Sequence, residues 1–378
     1  MRVEDYNLNQ LVEPLQKWFI GNARVLPWRE NPKAYYVWIS EIMLQQTRVE
    51  AVKPYFDRFI RELPDVKALA ECPEDKLLKL WEGLGYYNRV RNLKIAANQI
   101  LENYDGVIPS EYEELLKLKG IGHYTAGAIA SIAYGKPVSA VDGNVLRVIS
   151  RVCADDSDIM KQSVKNTMEN ALNSIMNGVQ EEKMLIPSIF NQALMELGAT
   201  VCLPNGAPKC EQCPWSDFCE AKKEGRISEL PVKTKAKARR IEEKTVFIVK
   251  DGEKLALHKR PKKGLLAGLY ELPNVEGHLS EQETLEYIKT QGYVPVRIQE
   301  ACDAKHIFSH VEWHMKGYVV FLEAKDFQKE SMACTDEKQD WIFVDVEDTK
   351  ENYAIPSAFV KYTEYLNVTI GKEAIETK

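Results

Sequence analysis

Leu118-Lys-Gly-Ile-Gly-His-Tyr-Thr125 joins two stretches whose apolar residues recur at helical spacing, Tyr112–Leu118 and Tyr124–Tyr134. Gly120 and Gly122 free the turn of Cβ atoms, so main-chain N–H groups can come close to a phosphate. The helix that follows adds a favourable dipole. A helix-hairpin-helix of this kind grips a nucleic-acid backbone without a large basic surface. Two glycines alone would serve a plain interhelical turn equally well, so the surrounding motifs must decide.

Twenty residues beyond Gly122, Val141-Asp-Gly-Asn-Val-Leu-Arg147 sets a carboxylate and an amide at a predicted helix start. A simple N-cap competes there with a chemical role. Upstream, Trp38-Ile-Ser-Glu-Ile-Met-Leu-Gln-Gln-Thr-Arg48 places Glu41 among apolar residues of a predicted helix, Val37–Val52. An unpaired carboxylate in such surroundings is costly unless its pKa rises, and a buried acid that keeps its proton can act as a general acid. An ion pair with Arg29 or Arg48 is the competing explanation. Downstream, Cys202, Cys210, Cys213 and Cys219 are spaced C-x7-C-x2-C-x5-C, four of the eight cysteines within eighteen residues. In a reducing compartment that density indicates a metal centre, and the spacing admits zinc or an iron–sulfur cluster.

The chain has 378 residues, enough for two domains, and its 45% hydrophobic content is that of a globular protein. No run of eighteen apolar residues offers a membrane span, and the polar start, Met1–Gln10, lacks a signal peptide, so a cytoplasmic location is expected. A net charge of −6 means that any DNA contact must rely on local basic groups and backbone amides. Helical periodicity runs from Leu11 to about Gly225, including Lys76–Leu84 and Val90–Tyr104. Beyond the basic stretch Lys233–Arg240 it gives way to short β-rich runs. Lys244–Lys250 and Lys254–His258 flank Asp251-Gly252, a hairpin signal. Strands are also predicted at Met315–Leu322 and Trp341–Val344, with helices near Ser280–Thr290 and Pro356–Tyr365.

Taken in order, the Glu41 helix, the glycine hairpin, Asp142 and the cysteine group resemble the endonuclease-III-like DNA glycosylases. Within them the chain resembles the MutY-type, adenine-specific branch. The resemblance runs from about Leu11 to Tyr365. It is carried most specifically by Ser40-Glu-Ile-Met-Leu-Gln-Gln-Thr47, Trp81-Glu-Gly-Leu-Gly-Tyr-Tyr87, Tyr124-Thr-Ala126 and Val141-Asp-Gly-Asn144. It implies an all-α helix-hairpin-helix glycosylase domain with an iron–sulfur loop over 1–228. A basic linker at 229–243, an α+β Nudix-like lesion-recognition domain over 244–368 and a tail at 369–378 follow. It also implies that Cys202, Cys210, Cys213 and Cys219 hold a [4Fe–4S] cluster, although the first gap is seven residues where the family usually has six.

The family's activity is removal of adenine mispaired with 8-oxoguanine or guanine in double-stranded DNA. The resemblance makes Glu41 the acid that protonates the departing base and Asp142 the group that stabilises the sugar cation, with Asn144 and Tyr124 orienting the pair. Trp28, Arg29, Leu44 and Gln192 would line the adenine pocket, and Gln46 and Tyr86 would wedge into the stack. Thr47 and Leu84 would lie near the opposite base, while Gly120 and Gly122 would bind the DNA backbone. Phe308-Ser-His310 would probe the lesion, with Phe308 as a wedge and Ser309 as its hydrogen-bonding group. Arg48, Arg89, Arg91 and Lys94 are further candidate phosphate contacts.

Relatives that also cut the strand carry a lysine where this chain has Tyr124; a phenol cannot form the Schiff base, so a monofunctional glycosylase is expected. Ser280–Tyr293 lacks the paired glutamates of a metal-dependent Nudix hydrolase, which argues against a pyrophosphatase. Two alternatives are an endonuclease-III-like enzyme for oxidised pyrimidines and a non-catalytic iron–sulfur DNA-binding protein. The chain is read as a monomer without a membrane partner, with repair proteins as candidate partners of the linker.

Overall fold

The computed structural model describes residues 2–178, 185–234, 238–323 and 341–366. The predicted tail at 369–378 and part of the predicted linker lie outside them. The chain divides into two compact units, Met1–Glu71 with Arg91–Ala236, and Cys72–Val90 with Lys237–Lys378. Among the described residues no helix is long and apolar enough to cross a membrane.

The first unit is helical. Its longer elements include Val12–Asn22, Ala34–Leu44, Val49–Glu62, Gly143–Val152, Gln162–Gly178 and Pro187–Thr200. Gly143–Val152 turns Val145, Val148, Ile149 and Val152 into a core with Phe190, Leu194 and Leu197 of Pro187–Thr200, all nearly inaccessible to solvent. Pro187 opens its helix at the first turn, where a missing N–H costs nothing. The predicted continuous helix Val37–Val52 is broken instead. It stops at Leu44 and resumes at Val49, with Gln46 at φ 60° between. Apolar spacing cannot register such a break, because the two helices resume the same periodicity after four residues.

The hairpin runs from the short helix Tyr112–Leu115 to His123–Ala128, which continues as the π-helical turn Ile129–Ala133. Gly120 sits at φ 79°, and a Cβ there would lie 2.7 Å from that of Asn92. A Cβ at Gly127 would lie 2.1 Å from the Ser139 carbonyl oxygen, so only glycine allows this close approach.

The second unit holds one seven-stranded sheet: β1 Arg240–Asp251, β2 Lys254–Lys259, β3 Tyr270–Glu271, β4 Asn274–Glu276, β5 Pro295–Ile307, β6 Val311–Leu322 and β7 Trp341–Asp345. The order is β3-β2-β1-β6-β5, with β4 on β1 and β7 on β2. β1 and β2 form the predicted hairpin, pairing Asp251 with Lys254. β1 and β6 are parallel, pairing Arg240 with Val311 through Lys250 with Phe321. The helix Glu281–Thr290 begins with a capping box between Ser280 and Glu283. Two corrections arise. β5 was not anticipated, because as an edge strand it is polar and largely exposed and shows no clean alternation. Ser357–Tyr365 is a 3-10 helix.

Candidate active site

A cavity of about 1010 Å³ opens in the helical unit, lined by Trp28, Arg29, Glu41, Leu44, Gln46, Thr47, Tyr124, Asp142, Asn144 and Gln192 among others. It therefore gathers every catalytic and pocket residue anticipated from the sequence, together with Gln46 and Thr47. Leu44 reaches it from the end of Ala34–Leu44, and Gln46 stands exposed just beyond.

Glu41 is buried on the helix Ala34–Leu44 and accepts a short hydrogen bond from the Tyr124 hydroxyl. Burial pushes the Glu41 carboxyl up to about 7; the Tyr124 hydrogen bond opposes this and the neighbouring Asp142 charge reinforces it. Tyr124 is itself held far above the usual phenol range, first by burial and then by Glu41, so the phenol stays the donor. The ion pair that could have explained Glu41 is not formed with Arg29. Arg29 instead donates to Glu196 at 2.8 Å, and Arg24 reaches the same carboxylate at 2.6 Å. Burial alone would raise Glu196, but the hydrogen bonds from Arg24 and Arg29 outweigh it and hold the carboxyl below its ordinary value.

Asp142 is the N-cap of Gly143–Val152. Its Oδ1 accepts from the N–H groups of Asn144 at 2.9 Å and Val145 at 2.8 Å. Its Oδ2 accepts from the Asn144 amide at 2.7 Å. The cap therefore occupies only one carboxylate oxygen with backbone N–H groups. Burial raises its pKa against these hydrogen bonds. Asn144 is fixed in turn by Arg147, which donates to its Oδ1 at 2.9 Å and to the Gly198 carbonyl at 2.8 Å. A side chain at Gly198 would bring a Cβ within 2.7 Å of that of Asn144.

Residues 39–174 match the HhH-GPD superfamily base excision DNA repair proteins, and residues 245–365 match the NUDIX domain. The adenine DNA glycosylase of Mus musculus is 34% identical over 367 residues, covering 82% of this chain and 70% of that protein. The chain belongs to the adenine DNA glycosylases. The Homo sapiens member is 32% identical over 371 residues, covering 82% of this chain and 67% of that protein. An endonuclease III solved in a non-covalent complex with DNA is 24% identical over 58% of this chain and 98% of that one, with a TM-score of 0.48.

The sequence offered no signal for Arg24, Arg147, Glu196 or Gly198 in this glycosylase. They matter through contacts across the fold, between residues 51 to 172 positions apart.

The four cysteines surround a small void of about 30 Å³, shared with Arg151, Pro208 and Ile227. Arg151 donates to the Cys202 sulfur at 3.4 Å and to the Leu203 carbonyl at 2.9 Å. Burial raises the thiols of Cys210, Cys213 and Cys219, Cys213 to about 12. Among the described residues no three His, Cys, Asp or Glu donors stand close enough to share a single ion. Sulfurs spread around a void suit a multi-iron cluster, in which each binds a different iron. Arg147 donates to the Cys202 carbonyl at 2.9 Å, so one guanidinium braces both this loop and Asn144.

In the second unit, Leu84 is buried, whereas Tyr86 is half exposed at φ 47°. Arg89 donates to the Leu84 and Gly85 carbonyls at 2.9 and 3.0 Å, and burial lowers its pKa to about 10. That guanidinium shapes the loop. Phe308, Ser309 and His310 form the β5–β6 turn. The ring of Phe308 packs edge-on against His306 and Trp313, and Ser309 and His310 are exposed.

Proposed function

We propose that this adenine DNA glycosylase excises adenine opposite 8-oxoguanine, or guanine, from duplex DNA and leaves the strand uncut. The observation that carries this reading is the buried Glu41, poised near neutral pH in the same cavity as Asp142. The target base must be flipped from the stack to reach them. Glu41 gives its proton to the adenine ring nitrogen at position seven. The glycosidic bond then breaks with its electron pair leaving on adenine, and the positive charge on the sugar is stabilised by the Asp142 carboxylate. Water adds to the sugar carbon and the Glu41 carboxylate takes its proton. Asn144 and Tyr124 hold the two carboxyl groups for these steps. Trp28, Arg29, Leu44 and Gln192 would enclose the base, with Arg29 braced by Glu196. Tyr124 offers no amine for a Schiff base, which favours base removal without strand cutting.

Gln46 and Tyr86 are the proposed wedges, Thr47 and Leu84 the residues near the opposite base, and Gly120 and Gly122 the backbone grip. Ser309, exposed at the tip of its turn, is the proposed reader of the lesion. Cys202, Cys210, Cys213 and Cys219 would hold a [4Fe–4S] cluster, which when bound ties residues 202 to 219 into a rigid loop. A monomer acting in the cytoplasm, on nucleoid DNA if bacterial, with repair proteins at the linker, completes the reading.

A single-turnover assay on duplexes with adenine opposite 8-oxoguanine, guanine or thymine, with and without alkali, tests it. Nicking only after alkali, fastest opposite 8-oxoguanine and lost in Glu41→Gln, is the expected result. Nicking without alkali, or equal rates on all three duplexes, would overturn it.

A further inference from the structure

Within the second unit, the helix Glu74–Leu80 runs straight into the loop that carries Leu84 and Tyr86. One turn before that loop, Lys79 donates to Glu82 at 2.7 Å and to the carbonyls of Thr349 at 2.8 Å and Tyr353 at 3.1 Å. The other carboxylate oxygen of Glu82 accepts the Ile355 N–H at 2.7 Å. The two side chains are only 15% and 7% exposed, so this pair is not one of the weak surface bridges that contribute little. Breaking it strands a buried charge.

Both ends of this joint lead to parts of the proposed DNA-reading apparatus. On one side Glu82 is followed by Gly83 at φ 93° and Gly85 at φ 69°, left-handed backbone that glycine adopts without a Cβ clash. Trp81 closes the loop by donating to the Gly85 carbonyl at 3.1 Å. On the other side Ile355 is followed by the turn to Phe359, whose ring lies 6.2 Å from Trp313, and Trp313 stands 4.9 Å from Phe308. Tyr353 also packs edge-on against Tyr270 of β3 at 4.8 Å. A continuous packed path thus joins the Phe308–His310 turn to the Leu84–Tyr86 loop.

We propose that Lys79 and Glu82 are positioning residues that couple recognition of the opposite base at the Phe308–His310 turn to seating of the Tyr86 wedge. This rests on the reading of those two loops given above. The joint makes the wedge fully seated only when the turn has engaged 8-oxoguanine, so it contributes to the preference for that base and not to the bond-breaking step.

The test compares single-turnover excision of adenine opposite 8-oxoguanine and opposite guanine in the full chain, Glu82→Leu, Glu82→Gln and Lys79→Met. Fluorescence of 2-aminopurine beside the opposite base serves as the readout of stacking by the wedge. Glu82→Leu is expected to slow the 8-oxoguanine duplex about tenfold, the worth of one charge-assisted hydrogen bond, while the guanine duplex is unchanged. The fluorescence change on binding shrinks in parallel, and Glu82→Gln, which keeps an acceptor for Ile355, recovers part of both. Lys79→Met, which keeps the Ile355 bond, gives the same loss if Glu82→Leu does not fold. Equal loss on both duplexes, or an unchanged preference in folded variants, would overturn the coupling. A full chain with no preference for 8-oxoguanine would instead overturn the reading of the loops, and the coupling with it.

Discussion

The guanidinium of Arg29 donates to Glu196 at 2.8 Å and leaves the carboxyl of Glu41 to Tyr124. A cation and a carboxylate that share one cavity are thereby kept from neutralising each other. Glu41 keeps a raised pKa because burial outweighs the lowering by the Tyr124 hydrogen bond and by Arg29.

This arrangement makes Glu41 costly as well as useful. Its folded pKa, about 7, lies above the ordinary value of 4.5. The protonated form is therefore favoured by folding, and the stability it supports is full below the ordinary pKa and lost as pH rises through about 7. Above that the charge costs about 3 kcal/mol. Glu41→Gln should raise the unfolding free energy at about pH 8 but change it little at about pH 4, measured by denaturant titration. Excision by the native chain should fall as pH rises past about 7.

Glu196 neutralises two arginines at once. Glu196→Ala should destabilise the chain by about 3 kcal/mol, since it leaves Arg24 and Arg29 facing a cavity without their carboxylate. The same variant frees Arg29 to approach Glu41, so its excision rate should fall even at temperatures where circular dichroism shows it folded.

Gly198 is required by contact and not by backbone angle. Gly198→Ala would press a Cβ against Asn144, displacing the amide that holds Asp142. The expected result is a stability loss of about 1–3 kcal/mol and a loss of excision of about tenfold or more, with duplex binding retained in a gel-shift assay.

Cys213 lines the void together with Cys202, Cys210 and Cys219. Cys213→Ala should abolish the roughly four irons per chain expected by elemental analysis and lower the melting temperature. Because Arg147 joins this loop to Asn144, excision should fall together with iron content.

That Glu41, Tyr124, Asp142 and Asn144 share one cavity, and that the four cysteines share one void, was legible because local motifs carry these residues. The helical and β-rich halves were legible too, since periodicity follows burial of one face. The break at Gln46 and the edge strand β5 were not, for neither interrupts a hydrophobic pattern that a single stretch can display. Nor did the sequence reveal that Arg89 braces the loop through the Leu84 and Gly85 carbonyls.

By itself the sequence determined which groups could do the chemistry, and which part of the chain is helical and which is β-rich. Tertiary structure decided which of those groups are charged. Arg24 and Arg29 meet Glu196 across more than 160 residues, and burial of Glu41 beside Tyr124 is a property of packed helices. Desolvation depends on what surrounds a side chain in space, and neighbours in sequence do not supply that.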